Sequence, residues 1–151
     1  MNINWKHIPI FIIVSLGGTI WPFIGNCQEY NQFIDDWLPL GIEIERVKGV
    51  LENTNTQYTE TFMRSHEAII LHATIEDNQY MYFIDQENQR CWLVIKDYPI
   101  KQLSERINYF AKWNKIEEEE LTWYQNFSEL YDIVAKMEIT DNVISISFST
   151  R

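Results

Sequence analysis

The sequence predicts an α+β fold: a curved antiparallel β-sheet of the meander type with two to three helices packed on one face. Three observations predict it. The middle of the chain alternates apolar and polar residues in short runs separated by turn clusters. Two later runs repeat their apolar residues every three to four positions. The final run, VISISFST at 143–150, alternates once more. Strands, then helices, then a returning strand build an α+β architecture.

The chain of 151 residues has six Trp, eight Tyr and eight Phe, ample material for a core. Gly and Pro are few, five and four, and no composition break divides the chain. A single domain over residues 1–151 is expected.

Residues 7–27, HIPIFIIVSLGGTIWPFIGNC, carry no charge between His7 and Glu29. Three readings compete. Ile8, Ile10, Phe11, Ile12, Ile13 and Val14 suit a buried strand ended by Gly17-Gly18. Lys6 and Ile8 to Leu16, with Ser15 and Gly17 as small residues, fit an export signal over 1–17. Residues 8–25 are long enough for a membrane anchor, though Pro9, Gly17-Gly18 and Pro22 interrupt them. The strand and a cytoplasmic location are the leading expectation. An exported or membrane-anchored domain is the alternative.

Asn26 and Glu29 form the pattern of a capping box. A helix is expected from there to Leu38, with Tyr30, Phe33, Ile34 and Trp37 on one face and Asp35 and Asp36 away from it. Pro39 and Gly41 stop it. Ile42 and Ile44 then alternate with Glu43 and Glu45, which predicts a strand with a bulge near Arg46–Val47. Turn clusters at 52–57, at Asp77-Asn78 and at 85–89 separate extended runs. Those runs are 58–63, 69–75, 80–84 and 91–96. After Pro99, Leu103, Ile107, Phe110 and Trp113 predict a helix. Leu121, Tyr124, Phe127, Leu130 or Tyr131, Val134 and Met137 predict a second one from Ile116.

Motifs for chemistry are missing. No GxSxG, P-loop, GxGxxG, HExxH or CxxC pattern occurs. His7, His66 and His72 lack metal-ligand spacing. Cys27 and Cys91 are expected as reduced thiols, and a Cys91–His72 pair on neighbouring strands is the one nucleophile arrangement conceivable. Asn126-Phe127-Ser128 is a glycosylation sequon on the expected second helix. No catalytic residue, cofactor or metal is expected.

Charge is the informative signal. The chain carries 22 Asp and Glu against 12 Lys and Arg, net −10. Such a surface repels a phosphate backbone, so no nucleic-acid partner is expected, and it attracts a basic protein. Residues 90–115 hold six Lys/Arg against two acids, and residues 116–141 eight acids against one Lys. Mutual neutralisation of two such helices still leaves an acidic excess. The glutamate run Glu117, Glu118, Glu119 and Glu120 suits the positive end of a helix dipole. The expected function is therefore a non-catalytic acidic binding module, of the kind an immunity protein is to a nuclease toxin. Its expected contacts are Asp35, Asp36 and Glu117 to Glu120. Membrane association follows only if residues 8–25 form an anchor.

Overall fold

The computed structural model describes residues 27–117, 119–127 and 131–151. The expected strand at 8–14, its signal and anchor alternatives and Asn26 of the capping box lie outside the described residues. The chain divides into two compact units, Met1–Trp37 and Leu38–Arg151. In the first, helix α1 spans Cys27–Asp36 as the periodicity predicts. Ile34 and Trp37 are buried, and the rings of Phe33 and Trp37 stack at 6.1 Å.

The second unit holds helix α2 (Ile44–Asn53), helix α3 (Leu103–Phe110) and eight strands. These are β1 (Tyr58–Met63), β2 (Ala68–Ile75), β3 (Asn78–Asp85), β4 (Cys91–Pro99), β5 (Asn114–Lys115), β6 (Thr122–Asn126), β7 (Asp132–Ile139) and β8 (Val143–Thr150). They form one open antiparallel sheet in the order β1-β2-β3-β4-β8-β7-β6-β5. The fold is α+β, and its first four strands are the meander that the alternation predicts.

Register assigns the faces. Tyr58, Glu60 and Phe62 of β1 stand opposite Ala73, Leu71 and Ile69 of β2. That face continues through Tyr80, Tyr82 and Ile84 of β3, Val94 and Lys96 of β4, and Phe148 and Ile146 of β8. It ends on Ala135 and Met137 of β7 and Trp123 of β6. Nearly all of its central positions are buried. Both helices of this unit contact it. Lys48 and Glu52 of α2 reach Glu60 and Tyr58, while Arg106 and Phe110 of α3 meet Tyr98 and Phe148. This is the inner face. Ser145, Ser147 and Ser149 of β8 point to the outer face, as their alternation predicts.

Two expected elements are corrected. The strand with a bulge over residues 42–47 is a single β-bridge, Glu43 with Arg90, leading straight into α2. Ile44, Val47 and Leu51 are the buried residues of that helix, at intervals of three and four, and this stripe outweighs the two-residue alternation before it. Gly41, at φ +78°, makes the turn that precedes it, a conformation only glycine adopts without strain. The second late helix, from Ile116, is instead the hairpin of β6 and β7. Ile133, Ala135 and Met137 are buried in alternation, Thr122, Trp123, Tyr124 and Val134 suit strands, and β8 supplies a long partner. In α3 the inward positions are Arg106 and Phe110, whereas the expected Ile107 is 44% exposed.

Candidate interaction surface

The acidic positions singled out by charge are displayed in two ways. Asp35 and Asp36 lie on α1, in the first unit. Asp35 is half-buried, and exposed Asp36 accepts a 2.9 Å hydrogen bond from Gln32 Nε2. Glu117, Glu119 and Glu120 lie in the second unit and are exposed. Glu118 is outside the described residues. These glutamates do not start a helix, as the dipole argument required, but occupy the loop between β5 and β6. The Glu119 N–H donates to the Ile116 carbonyl at 3.3 Å, and Thr122 Oγ1 donates to the Glu120 carbonyl at 3.0 Å. Leu121 closes the loop at φ 49°, and its carbonyl accepts from the Met137 N–H. These bonds hold the loop while its described carboxylates face water.

The expected neutralisation of residues 90–115 by residues 116–141 is not how the described cations are arranged. Lys48 is held by Glu60 at 2.8 Å, Arg90 by Glu43 at 2.8 Å, Lys101 by Asp77 at 2.7 Å and Lys136 by Glu138 at 3.5 Å. The hydrogen bond to Glu60 keeps the Lys48 ammonium above its ordinary pKa. Lys96 and Arg106 are buried. Many of the cations are therefore engaged locally or withdrawn from solvent. Among the described residues, Glu67, Glu87, Glu117, Glu119 and Glu120 are exposed carboxylates outside every described ion pair.

Lys96 is the residue that charge reasoning misses. It is 1% exposed, with Nζ 5.7 Å from the Tyr80 ring centre and 5.6 Å from that of Phe148. Arg106 lies over the Tyr98 ring at 4.4 Å and pairs with Glu105 at 2.6 Å. Desolvated cation–π contacts of this kind are worth about 2 kcal/mol. The signal was in the alternation, since Lys96 is in phase with Val94 and Tyr98. With both cations enclosed, this cluster organises the core and offers no surface to a solute.

No family model, curated protein or solved structure matches this chain. The functional reading therefore stands on geometry and charge.

The nucleophile arrangement is not formed. Cys91 lies on β4 and His72 on β2, with β3 between them. Cys91 pairs in register with Ile84 on the inner face, whereas His72 is on the outer face, its Nε2 3.0 Å from Thr61 Oγ1. Cys91 is a free, buried thiol whose Sγ donates to the Leu93 carbonyl at 3.6 Å. Burial pushes its pKa up to about 12, so at neutral pH it is protonated and a poor nucleophile. The side chain of Cys27 is outside the described set. His66 sits on the turn after β1, beside Ser65 Oγ at 2.8 Å. The sequon Asn126 ends β6 rather than riding a helix, and its Nδ2 donates to Asp132 Oδ1 at 3.0 Å. Among the described residues no helix is long and apolar enough to cross a membrane.

Proposed function

We propose that the protein is a non-catalytic acidic binding module that neutralises a basic protein partner, in the manner of an immunity or inhibitor protein. One observation carries this reading. The exposed glutamates of the β5–β6 loop enter no described ion pair, while Lys48, Arg90, Lys101 and Lys136 are paired locally and Lys96 and Arg106 are buried. The net charge of −10 therefore acts outward. Such a field speeds encounter with a basic surface and rejects acidic ones. Asp35 and Asp36 on α1 are further proposed contacts, and the cytoplasm is the proposed compartment.

The test is isolation of the partner from the native source, followed by association kinetics at two salt concentrations. Surface fields are screened over ~8 Å at physiological ionic strength. Added salt is expected to slow association more than it speeds dissociation. Changing Glu117, Glu119 and Glu120 together to Gln is expected to slow association at low salt and to leave stability within about 0.5 kcal/mol. An acidic partner, a lipid, or rates indifferent to salt overturn the reading.

A further inference from the structure

Among the described residues the sheet has one open edge of full strand length, β1. In an antiparallel ladder alternate residues of an edge strand turn their N–H and C=O groups away from the sheet. Over the six residues of β1 this exposes about 20 Å of unpaired ladder. Among the described residues the β1 backbone bonds only to β2. The strand carries no Pro, no Lys and no bulge, and its register with β2 runs without a shift. Its four central residues are exposed, and Phe62 is 52% exposed. Natural sheets normally blunt such edges, because they recruit other strands.

The chemistry beside the edge selects the occupant. On the inner-face side, Glu60 of β1 and Glu45 of α2 flank the ammonium of Lys48, and Glu52 of α2 lies against Tyr58. Lys48 lies 2.8 Å from Glu60 and 3.8 Å from Glu45, and Tyr58 Oη donates to Glu52 at 3.1 Å. Three carboxylates therefore stand beside the edge, two of them on Lys48. On the outer-face side stand the hydroxyls of Thr59 and Thr61. A strand added here places alternate side chains beside the carboxylates and the others beside the threonines. A second copy of the chain, itself at −10, is electrostatically the wrong occupant.

We propose that β1 is a docking edge, onto which an extended Lys- or Arg-bearing segment of a partner protein adds as a ninth strand, its basic side chains against Glu45, Glu52 and Glu60. Main-chain hydrogen bonds supply affinity in this mode and the alternate side chains supply specificity. The proposal rests on the basic-partner reading and names where that partner binds.

The test titrates the isotope-labelled full chain with a peptide of about ten residues alternating Lys and Val, followed by amide NMR and hydrogen exchange. Its counterparts are the same peptide with Glu for Lys, and the Lys peptide N-methylated at alternate residues. The expected result is perturbation centred on Tyr58–Met63, with exchange slowed at alternate amides of β1. N-methylation deletes about three hydrogen bonds and is expected to weaken binding at least about tenfold. The Glu peptide is expected not to bind. Glu52→Gln with Glu60→Gln is expected to weaken the Lys peptide by about three- to tenfold, while the amide spectrum shows the sheet intact. Perturbation centred on residues 117–120 instead overturns the docking edge and leaves the acidic-module reading standing. Equal binding of Lys and Glu peptides overturns the basic occupant. No binding of any peptide, or protection of β1 amides that grows with protein concentration alone, overturns the proposal.

Discussion

The two edges of the sheet are finished in opposite ways. At one end β5 is two residues long, exposed, and ends on Lys115. Short length and a lysine are both devices that discourage strand addition. Next to it the loop of exposed glutamates projects from the β5–β6 hairpin, and Trp123 beneath is pinned by the Phe110 ring at 4.8 Å. At the other end β1 has six residues, no bulge and no such device. A charged edge strand usually protects itself with its own side chain, but here the Glu60 carboxylate turns to Lys48 of α2. The comparison separates two uses of charge. A lysine on a short strand guards the β5 edge, while carboxylates on and beside β1 would select what that edge accepts.

The largest effect belongs to the guarded end. Phe110 is stacked on Trp123 and also meets Trp113 and Phe148 at 5.2 and 6.1 Å. Phe110→Ala is expected to cost about 3–5 kcal/mol in chemical denaturation, with the first amides to lose protection in β5 and β6. If β1 loses protection first, the contrast between the edges is drawn the wrong way round.

A smaller effect appears with pH on the β1–β4 side. The Cys91 thiol is held protonated up to about 12 by burial, whereas in the unfolded chain it ionises from its ordinary value of 9.0. Between those values the unfolded chain binds fewer protons, so stability falls as pH rises. Below about pH 9 the contribution is fully present. Cys91→Val removes the ionisation, and above pH 9 the variant is expected to gain on the parent by roughly 1.4 kcal/mol per pH unit at most. Parallel stability–pH curves for the two proteins would rule this out.

The smallest effect lies on the ion pair that flanks the open edge. Lys48→Met is expected to cost about 1 kcal/mol or less, and less in high salt, because the pair is only partly shielded. The same variant leaves Glu45 and Glu60 without their cation. It is therefore expected to bind the Lys–Val peptide more tightly than the parent, in the same NMR titration. Weaker binding would mean that Lys48 orders the edge rather than competing for it.

The first four strands were legible in the sequence because three signals agree there. Alternation, turn clusters and β-branched or aromatic residues all fall in step over residues 58–96. Over residues 121–137 they conflict. Leu121, Tyr124, Phe127, Val134 and Met137 keep helical spacing, while Ile133, Ala135 and Met137 keep a period of two. What decides between them is a contact remote in sequence, the pairing of β7 along β8. At residues 42–51 the opposite error arises, where two isoleucines in alternation conceal the stripe of Ile44, Val47 and Leu51. The exposure of the described glutamates could be read from composition, but their display by a loop could not. The edge at β1 was invisible for a different reason. A strand's sequence does not say whether it has one neighbour or two.

The junction of β4 with β8 has a consequence for how the chain is made. Residues 93–99 pair with residues 143–149, so the last strand in sequence sits in the middle of the sheet. Until β8 has followed it out of the ribosome, β4 is itself a bare edge, rich in Val94, Ile95 and Tyr98. At ~5–20 residues per second that interval lasts a few seconds, long enough for the emerging meander to meet other nascent chains. The vulnerable moment for aggregation is thus not the finished molecule with its open β1. It is the half-built one, which presents an unpaired strand at each end.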